Sequence, residues 1–174
     1  MLLSTESRTN EAALIRSAQA GDRAAFGALY KQFSRMVHGI LLSHVSYTDA
    51  EDLMQDVFIK AIEQIAGLRE TGAFGGWLCS IARRAAFDYR RKIRLVDALP
   101  ETVAGGTRPD GEAFEVLGFI QVLPESYRET LVMRLVEGMT GPEIASRTGL
   151  TEASVRVNLC RGMKLLWERL ERRV

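Results

Sequence analysis

Apolar residues in this chain recur every three or four positions almost from end to end, and the recurrence fails only once. That pattern leaves few options other than packed α-helices. Asn10 can cap a first helix carrying Leu14, Ile15 and Ala18, which Gly21 closes. Asp22 opens a second, with Phe26, Leu29, Tyr30, Phe33, Val37, Ile40 and Leu41 on one buried side. Thr48 and Glu51 predict a capping box at the head of a third, DAEDLMQDVFIKAIEQI, with Leu53, Val57, Ala61, Ile62 and Ile65 turned inward. After the glycine-rich GLRETGAFGG, a fourth helix starts between Phe74 and Trp77 and runs to about Arg94. No strand-like alternation competes, and the expected fold class is all-α.

The failure comes at LVDALPETVAGGTRPDGEA, where Pro100, Gly105, Gly106, Pro109 and Gly111 replace large apolar residues, the composition of a flexible linker. Helical spacing then resumes over 112–122, 124–137, 141–148 and 152–171, with Pro124 in a first turn and Gly138 after an end. The chain therefore divides into two small helical domains, 1–94 and 112–174, joined by a linker over 95–111. A length of 174 residues with 47% hydrophobic content suits that division.

Several function classes are excluded at this level. Cys79 and Cys160 stand far apart in no CxxC pair, so neither a disulfide framework nor a zinc module is expected. His38 and His44 are six positions apart and cannot share one helical metal face; they read as structural or surface groups. No Ser–His–Asp set, phosphate loop or ligand cluster is visible, so no enzyme activity, cofactor or metal is expected. The first residues lack the basic end and apolar core of a secretory signal, and no apolar run is long enough to span a bilayer, which predicts a cytoplasmic protein.

A net charge of +1 means that any nucleic-acid partner must be met by local patches. Basic residues gather at 83–94 and 156–173, acidic ones at Asp49, Glu51, Asp52 and Asp56 and again over 97–115. In TGPEIASRTGLTEASVRVNLCRG, Thr140 and Glu143 form a capping box and Pro142 sits in the first turn. Small Ala145, then Gly149 for the turn, then aliphatic Val155 follow at the spacing of a helix-turn-helix. Thr151 caps the last helix, whose Val155, Leu159, Leu166 and Leu170 form its buried stripe. Ser154, Val157, Arg161 and Lys164 lie opposite, flanked by Arg156 and Asn158. Short side chains near the start and long cations further along are what a recognition helix needs to reach bases and phosphates. A helical hairpin with a solvated basic face is the alternative.

In the first domain, Asp52, Gln55, Asp56, Ile59, Lys60 and Glu63 line the outer side of the third helix. Taken alone, that face also fits a solvated helix whose early acids suit the helix dipole. The fourth helix resists such a reading. Trp77, Leu78, Ile81, Ala82, Ala85 and Tyr89 pack, while Arg83, Arg84, Phe87, Arg90, Arg91 and Arg94 gather on the other side, with Asp88 placed to hold one arginine. Stacked like charges repel by a few tenths of a kcal/mol per pair. A partner offering phosphates and unpaired bases relieves that repulsion and gives Phe87 something to stack on.

Four fragments in order now resemble one family. AQAGDRAAFGALYKQF, DAEDLMQDVFIKA, WLCSIARRAAFDYRRK and LPESYRETLVMRLVEGMTGPEIASRTGLTEASVRVNLCRGMKLL are similar to the extracytoplasmic-function group of bacterial sigma factors, which carry only regions two and four. The resemblance implies a non-catalytic specificity subunit that directs promoter-specific transcription initiation by RNA polymerase. By that resemblance Asp52, Gln55, Asp56, Ile59 and Lys60 dock on core polymerase. Arg83, Arg84, Phe87, Asp88, Arg90, Arg91 and Arg94, with the Gly67–Gly76 loop, engage and melt the minus-ten element of promoter DNA. Ser154, Arg156, Val157, Asn158, Arg161 and Lys164 read the minus-thirty-five element. An anti-sigma factor is a further implied partner. Arg84 replaces a usual asparagine, Asn158 and Met163 stand at commonly basic positions, and Gly162 replaces a usual alanine, so promoter preference does not transfer from relatives. A sigma-like decoy and a dimeric helix-turn-helix regulator are the rival readings; neither predicts both an acidic-amide helix and a basic-aromatic one.

Overall fold

The structure, a computed structural model, describes residues 3–97 and 111–172, with side chains over 10–95 and 116–172. It contains eight α-helices among the described residues: α1 Leu3–Gln19, α2 Arg23–Leu42, α3 Tyr47–Gln64, α4 Phe74–Asp97, α5 Gly111–Gln121, α6 Glu125–Leu135, α7 Gly141–Thr148 and α8 Glu152–Glu171. Short 3₁₀ turns at Ile65–Gly67 and Thr71–Ala73 shape the loop before α4. The all-α expectation holds.

Helix ends follow local chemistry. The Asp22 carboxylate accepts from the Ala24 and Ala25 amides at 2.8 and 3.2 Å, satisfying donors that have no partner within α2. Gly21 takes a φ of +92°, open to glycine without strain. Three boundaries differ from expectation. α1 begins at Leu3, leaving Asn10 inside the helix rather than capping it. α3 is capped by Ser46, whose hydroxyl accepts from the Asp49 amide at 3.3 Å and donates to its carboxylate at 2.6 Å, so the Thr48–Glu51 box does not form. α4 runs on to Asp97 and α5 begins at Gly111, so both ends of the expected 95–111 linker are helical; its middle, 98–110, lies outside the described residues.

α1, α2, α3 and α4 bury Ile15, Leu29, Phe33, Ile40, Val57 and Leu78 among themselves, each essentially without solvent contact. Removing such a side chain to alanine costs about 2–5 kcal/mol, because the cavity collapses only in part. Tyr30 and Ile62 do not share that burial: they sit at the edge of their apolar stripes and are exposed. In the second half α6 packs on α8, and Leu131, Val132, Met133, Ile144, Val155 and Leu166 are buried.

The two halves also pack on each other, α2 against α6 and α7, and α4 against α7. Glycines set the closeness. A Cβ on Gly39 of α2 would lie 3.0 Å from Met133 Cγ, and one on Gly75 of α4 would lie 2.0 Å from the Arg147 carbonyl oxygen of α7. Polar groups finish the contact. The Gln121 amide donates to the Leu42 and Val45 carbonyls at 2.9 and 3.0 Å, and Arg35 donates to the Glu137 carbonyl. Arg147 reaches Glu11 at 2.9 Å, with its guanidinium 4.9 Å from the centre of the Phe33 ring.

Candidate nucleic-acid interface

α7 and α8 form the helix-turn-helix as the spacing predicts. The Thr140 amide donates to Glu143 Oε2 at 2.7 Å and the Glu143 amide to the Thr140 hydroxyl at 3.3 Å, the reciprocal capping box. The Thr140 amide and hydroxyl, both donating to Glu143 Oε2, hold the Glu143 carboxyl below its ordinary range. Gly149 adopts φ +78°, a conformation that costs other residues 1–2 kcal/mol or so, and its amide closes α7 on the Ala145 carbonyl at 3.1 Å. The Thr151 hydroxyl then accepts from the Ser154 amide at 3.1 Å and opens α8. Ala145 is buried where the helices cross and Val155 is fully enclosed.

That packing aims the outer side of α8 at solvent. Ser154, Arg156, Val157, Arg161 and Lys164 are exposed and Asn158 is half-buried. Ser154 is not wholly free, since its hydroxyl lies 2.8 Å from that of Thr151 within the cap. Gly162 is buried on the inner side, where a Cβ would stand 3.0 Å from Leu131 Cδ1 and 3.2 Å from Tyr127 Cβ. The glycine at this unusual position therefore answers to the closeness of α6.

On α4, the inner side is anchored as expected. Leu78, Cys79, Ala82, Ala85 and Ala86 are buried, and the Tyr89 hydroxyl donates to the Asp49 carboxylate of α3. That bond, with burial, pushes the Tyr89 phenol up to about 12. Burial likewise pushes the Cys79 thiol up to about 12, leaving it inert. On the outer side Arg84, Arg91 and Arg94 are exposed, Arg90 and Asp88 are half-buried, and Phe87 keeps 47% of its surface in solvent. Asp88 does hold an arginine, Arg91 at 3.5 Å, an exposed pair of little energetic weight.

Arg83 departs from this company. Its Nε donates to Glu129 Oε1 and its Nη2 to Glu129 Oε2, both at 2.8 Å, and Glu125 of the same helix lies 3.4 Å away. Glu129 is 4% exposed. Burial opposes its ionisation, but Arg83 and His44 outweigh that and hold the carboxyl below its ordinary value. Arg83 is correspondingly raised, chiefly by the bond to Glu129. His44 is fully buried beneath this pair, its Nε2 3.5 Å from Glu129 Oε1 and its ring 5.1 Å from that of Phe87. His38 also turns out to face the other half: its Nδ1 lies 2.5 Å from Glu137 Oε1, which raises its pKa. Sequence reasoning missed Arg35, His38, His44, Glu129 and Glu137 as partners because nothing in periodicity links residues a hundred positions apart.

His44, Glu125 and Glu129 are also the one set among the described residues spaced to hold a metal ion. The Arg83 guanidinium already occupies both Glu129 oxygens, so the cation of this cluster is an arginine.

On α3, Asp52, Gln55, Asp56, Ile59 and Lys60 are all exposed, Ile59 by 54%. Their side chains make no hydrogen bond or ion pair among the described residues, and exposed Ile62 extends the face. Acids, an amide and two isoleucines left open together suit a protein partner better than water alone. Among the described residues no helix is long and apolar enough to cross a membrane.

Comparisons agree with this division. Residues 29–95 match the family model Sigma-70 region 2, and residues 113–166 match Sigma-70, region 4. The ECF RNA polymerase sigma-E factor of Haemophilus influenzae is 29% identical, the match covering 91% of this chain and 94% of that protein. The RNA polymerase sigma factor CarQ of Myxococcus xanthus is 31% identical over 86% of this chain and 91% of its own length. Among solved structures, CnrH in complex with the cytosolic domain of CnrY is similar with a TM-score of 0.60 and 25% identity, covering 92% of this chain and 97% of that one.

Proposed function

Because the chain belongs to the extracytoplasmic-function group of RNA polymerase sigma factors, we propose that each exposed face found above serves one step of promoter-specific initiation. The exposed side of α3, with Asp52, Gln55, Asp56, Ile59 and Lys60, docks on core polymerase. The outer side of α4, with Arg83, Arg84, Phe87, Asp88, Arg90, Arg91 and Arg94, grips the minus-ten element as it opens. Cations follow the phosphates and Phe87 stacks on an unpaired base; stacking of this kind contributes about 1–3 kcal/mol per base. Extruding a base costs a few kcal/mol, so the loop before α4 and Phe87 together offset it. Ser154, Arg156, Val157, Asn158, Arg161 and Lys164 of α8 read the minus-thirty-five element as duplex.

The observation that carries this reading is the coexistence, in one chain, of a complete helix-turn-helix with an open cationic face and an unpaired acidic-amide face on α3. A dimeric repressor needs the first and has no use for the second. The protein acts by binding rather than by catalysis, in the cytoplasm, where polymerase and promoter are. An anti-sigma factor completes the list of partners; the similar CnrH was solved with the cytosolic domain of another protein bound.

The test is run-off transcription with purified chain and core polymerase over promoters of the source genome. Promoter-specific transcripts support the reading, and their absence at every promoter sinks it. Asp52→Ala with Gln55→Ala should weaken core binding about tenfold or more while leaving α8-dependent duplex binding unchanged. Equal loss of both activities would remove α3 from its assigned role.

A further inference from the structure

We propose that Gln19, the last residue of α1, is a positioning residue for base capture: its side-chain amide holds the loop between α3 and α4 in the shape that receives an extruded base. This rests on the assignment of that loop to the opening minus-ten element and adds to it a residue that lies on neither DNA-facing helix.

The loop has little to hold a shape by itself. Between Gln64 and Phe74 it contains two single 3₁₀ turns, Ile65–Gly67 and Thr71–Ala73. The Leu68 amide donates to the Ile65 carbonyl at 3.1 Å, and the Ala73 amide to the Glu70 carbonyl at 3.0 Å. Gly67 and Gly72 loosen it further, because glycine has more backbone freedom to lose than any other residue. The fold itself does not call for these two glycines. Neither takes a positive φ, and a Cβ on either would meet nothing within 4 Å. What they leave is bare backbone at the surface, which a flat partner can approach closely. Arg69, Glu70, Gly72 and Ala73 are exposed, so the rim of the loop is open to such a partner.

Gln19 supplies the rigidity that the loop lacks. Its Nε2 donates to the Ile65 carbonyl at 3.0 Å and to the Leu68 carbonyl at 2.7 Å. Both partners are oxygens that only accept, so the amide nitrogen must face them and both of its hydrogens are engaged. One side chain thereby ties the first residue of the first 3₁₀ turn to the residue that follows that turn. The Ile65 carbonyl also takes the Leu68 amide, so the two bonds reinforce one geometry. Gln19 is itself fixed. Ile15 and Ala18 are buried one turn and one residue before it, and the Gly21 and Asp22 amides close α1 on the Ala18 and Ser17 carbonyls, each at 3.0 Å. With Ile65 and Phe74 buried and Leu68 half-buried, the two ends of the loop are anchored while its rim stays free.

The consequence falls on the capture step. A loop that orders only when a base arrives loses backbone entropy at that moment, which adds to the cost of extrusion. A loop tied in advance has its binding shape before the base leaves the stack. Gln19 therefore acts through the loop and touches no DNA. A residue that merely fastened α1 to its neighbours would affect every binding step together.

The test uses the full chain with core polymerase on a promoter that gives run-off transcripts, with 2-aminopurine at successive minus-ten positions of the non-template strand. Gln19→Met keeps the bulk of the side chain without its donors, and Gln19→Glu keeps its shape but turns acceptors towards two carbonyls. Wild type should show a fluorescence rise at one position as that base leaves the stack. Both variants should slow the rise about tenfold or more, while affinity for core polymerase and for minus-thirty-five duplex stays within about twofold. In the free chain, the Leu68 amide of Gln19→Met should exchange with deuterium about tenfold faster, with the amides of α2 unchanged. An undiminished rise in both variants overturns the positioning role, and so does an unchanged Leu68 exchange rate. Equal loss of capture, core binding and duplex binding also overturns it, since that is the mark of a structural residue. No rise at any position in wild type would instead remove the capture role of the loop, and the role of Gln19 with it.

Discussion

α4 and α8 carry basic faces with nearly the same spacing, yet the protein treats them differently. On α8 the cations Arg156, Arg161 and Lys164 stand in solvent without partners among the described residues. On α4 the leading cation, Arg83, is sunk into a bidentate pair with a nearly buried glutamate of the opposite half. The difference teaches that a cationic stripe read from sequence states what a helix offers, while packing decides which members are available in a given state. Under the proposed roles, α8 offers its cations to duplex as it stands, whereas Arg83 of α4 is already engaged.

The contrast can be broken or sharpened by experiment. Glu129→Ala should have the largest effect, weakening the packed arrangement by about 1–3 kcal/mol once the partial exposure of Arg83 is allowed for. Urea unfolding of the full chain would measure it, and the same truncation at Arg161 should change stability by less than about 0.5 kcal/mol. Equal effects would erase the distinction between the two helices. Gly162→Ala should cost about 1–2 kcal/mol, since Leu131 must shift to admit a methyl group. Chemical denaturation would detect that loss, and a neutral outcome would mean that α6 yields easily.

The pH response has a defined sign. His38 has a raised pKa when packed against Glu137, with Tyr47 and Glu51 of α3 also near it. Its contribution to stability is therefore complete below its ordinary value of 6.5 and is lost as pH rises through the raised one. Glu129, held low, contributes above 4.5 and loses its contribution as pH falls through its depressed value. The unfolding free energy of the full chain followed from about pH 5 to 9 should fall towards the alkaline end, and His38→Gln should flatten that trend. The smallest expected change is in salt dependence. Arg161→Ala should reduce the slope of log affinity against log salt for minus-thirty-five duplex by about 0.9. Arg83→Ala should leave that slope unchanged, and an equal drop would place Arg83 on the duplex.

Much of this arrangement was legible from residue order because its causes are local. The Thr140–Glu143 box, the left-handed Gly149 and the buried Val155 are properties of one continuous stretch, and each stands where the spacing put it. The stripes on α2 and α3 were legible except at their margins, where Tyr30 and Ile62 fall just past the neighbouring helix and remain exposed. The α3 cap was ambiguous for a physical reason. SYTDAEDL offers Ser46 with Asp49 and Thr48 with Glu51 in two registers, and only the path of the preceding turn selects the first. The polar contacts between the two halves were not legible at all. His38, His44 and Arg83 meet Glu137 and Glu129 across 99, 85 and 46 positions, and charge pairing at such separations leaves no periodic trace.

Gly75 makes the contact between the two halves sensitive to a single methyl group. The backbone of α4 approaches the last turn of α7 so nearly there that even a methyl group would intrude on the Arg147 carbonyl. Every other amino acid at this position acts as a wedge, and a wedge harms the contact between the halves more than either half alone. Gly75→Ala should therefore lower the unfolding midpoint of the full chain, turning one tight spot between two helices into a gauge of how far their contact can give.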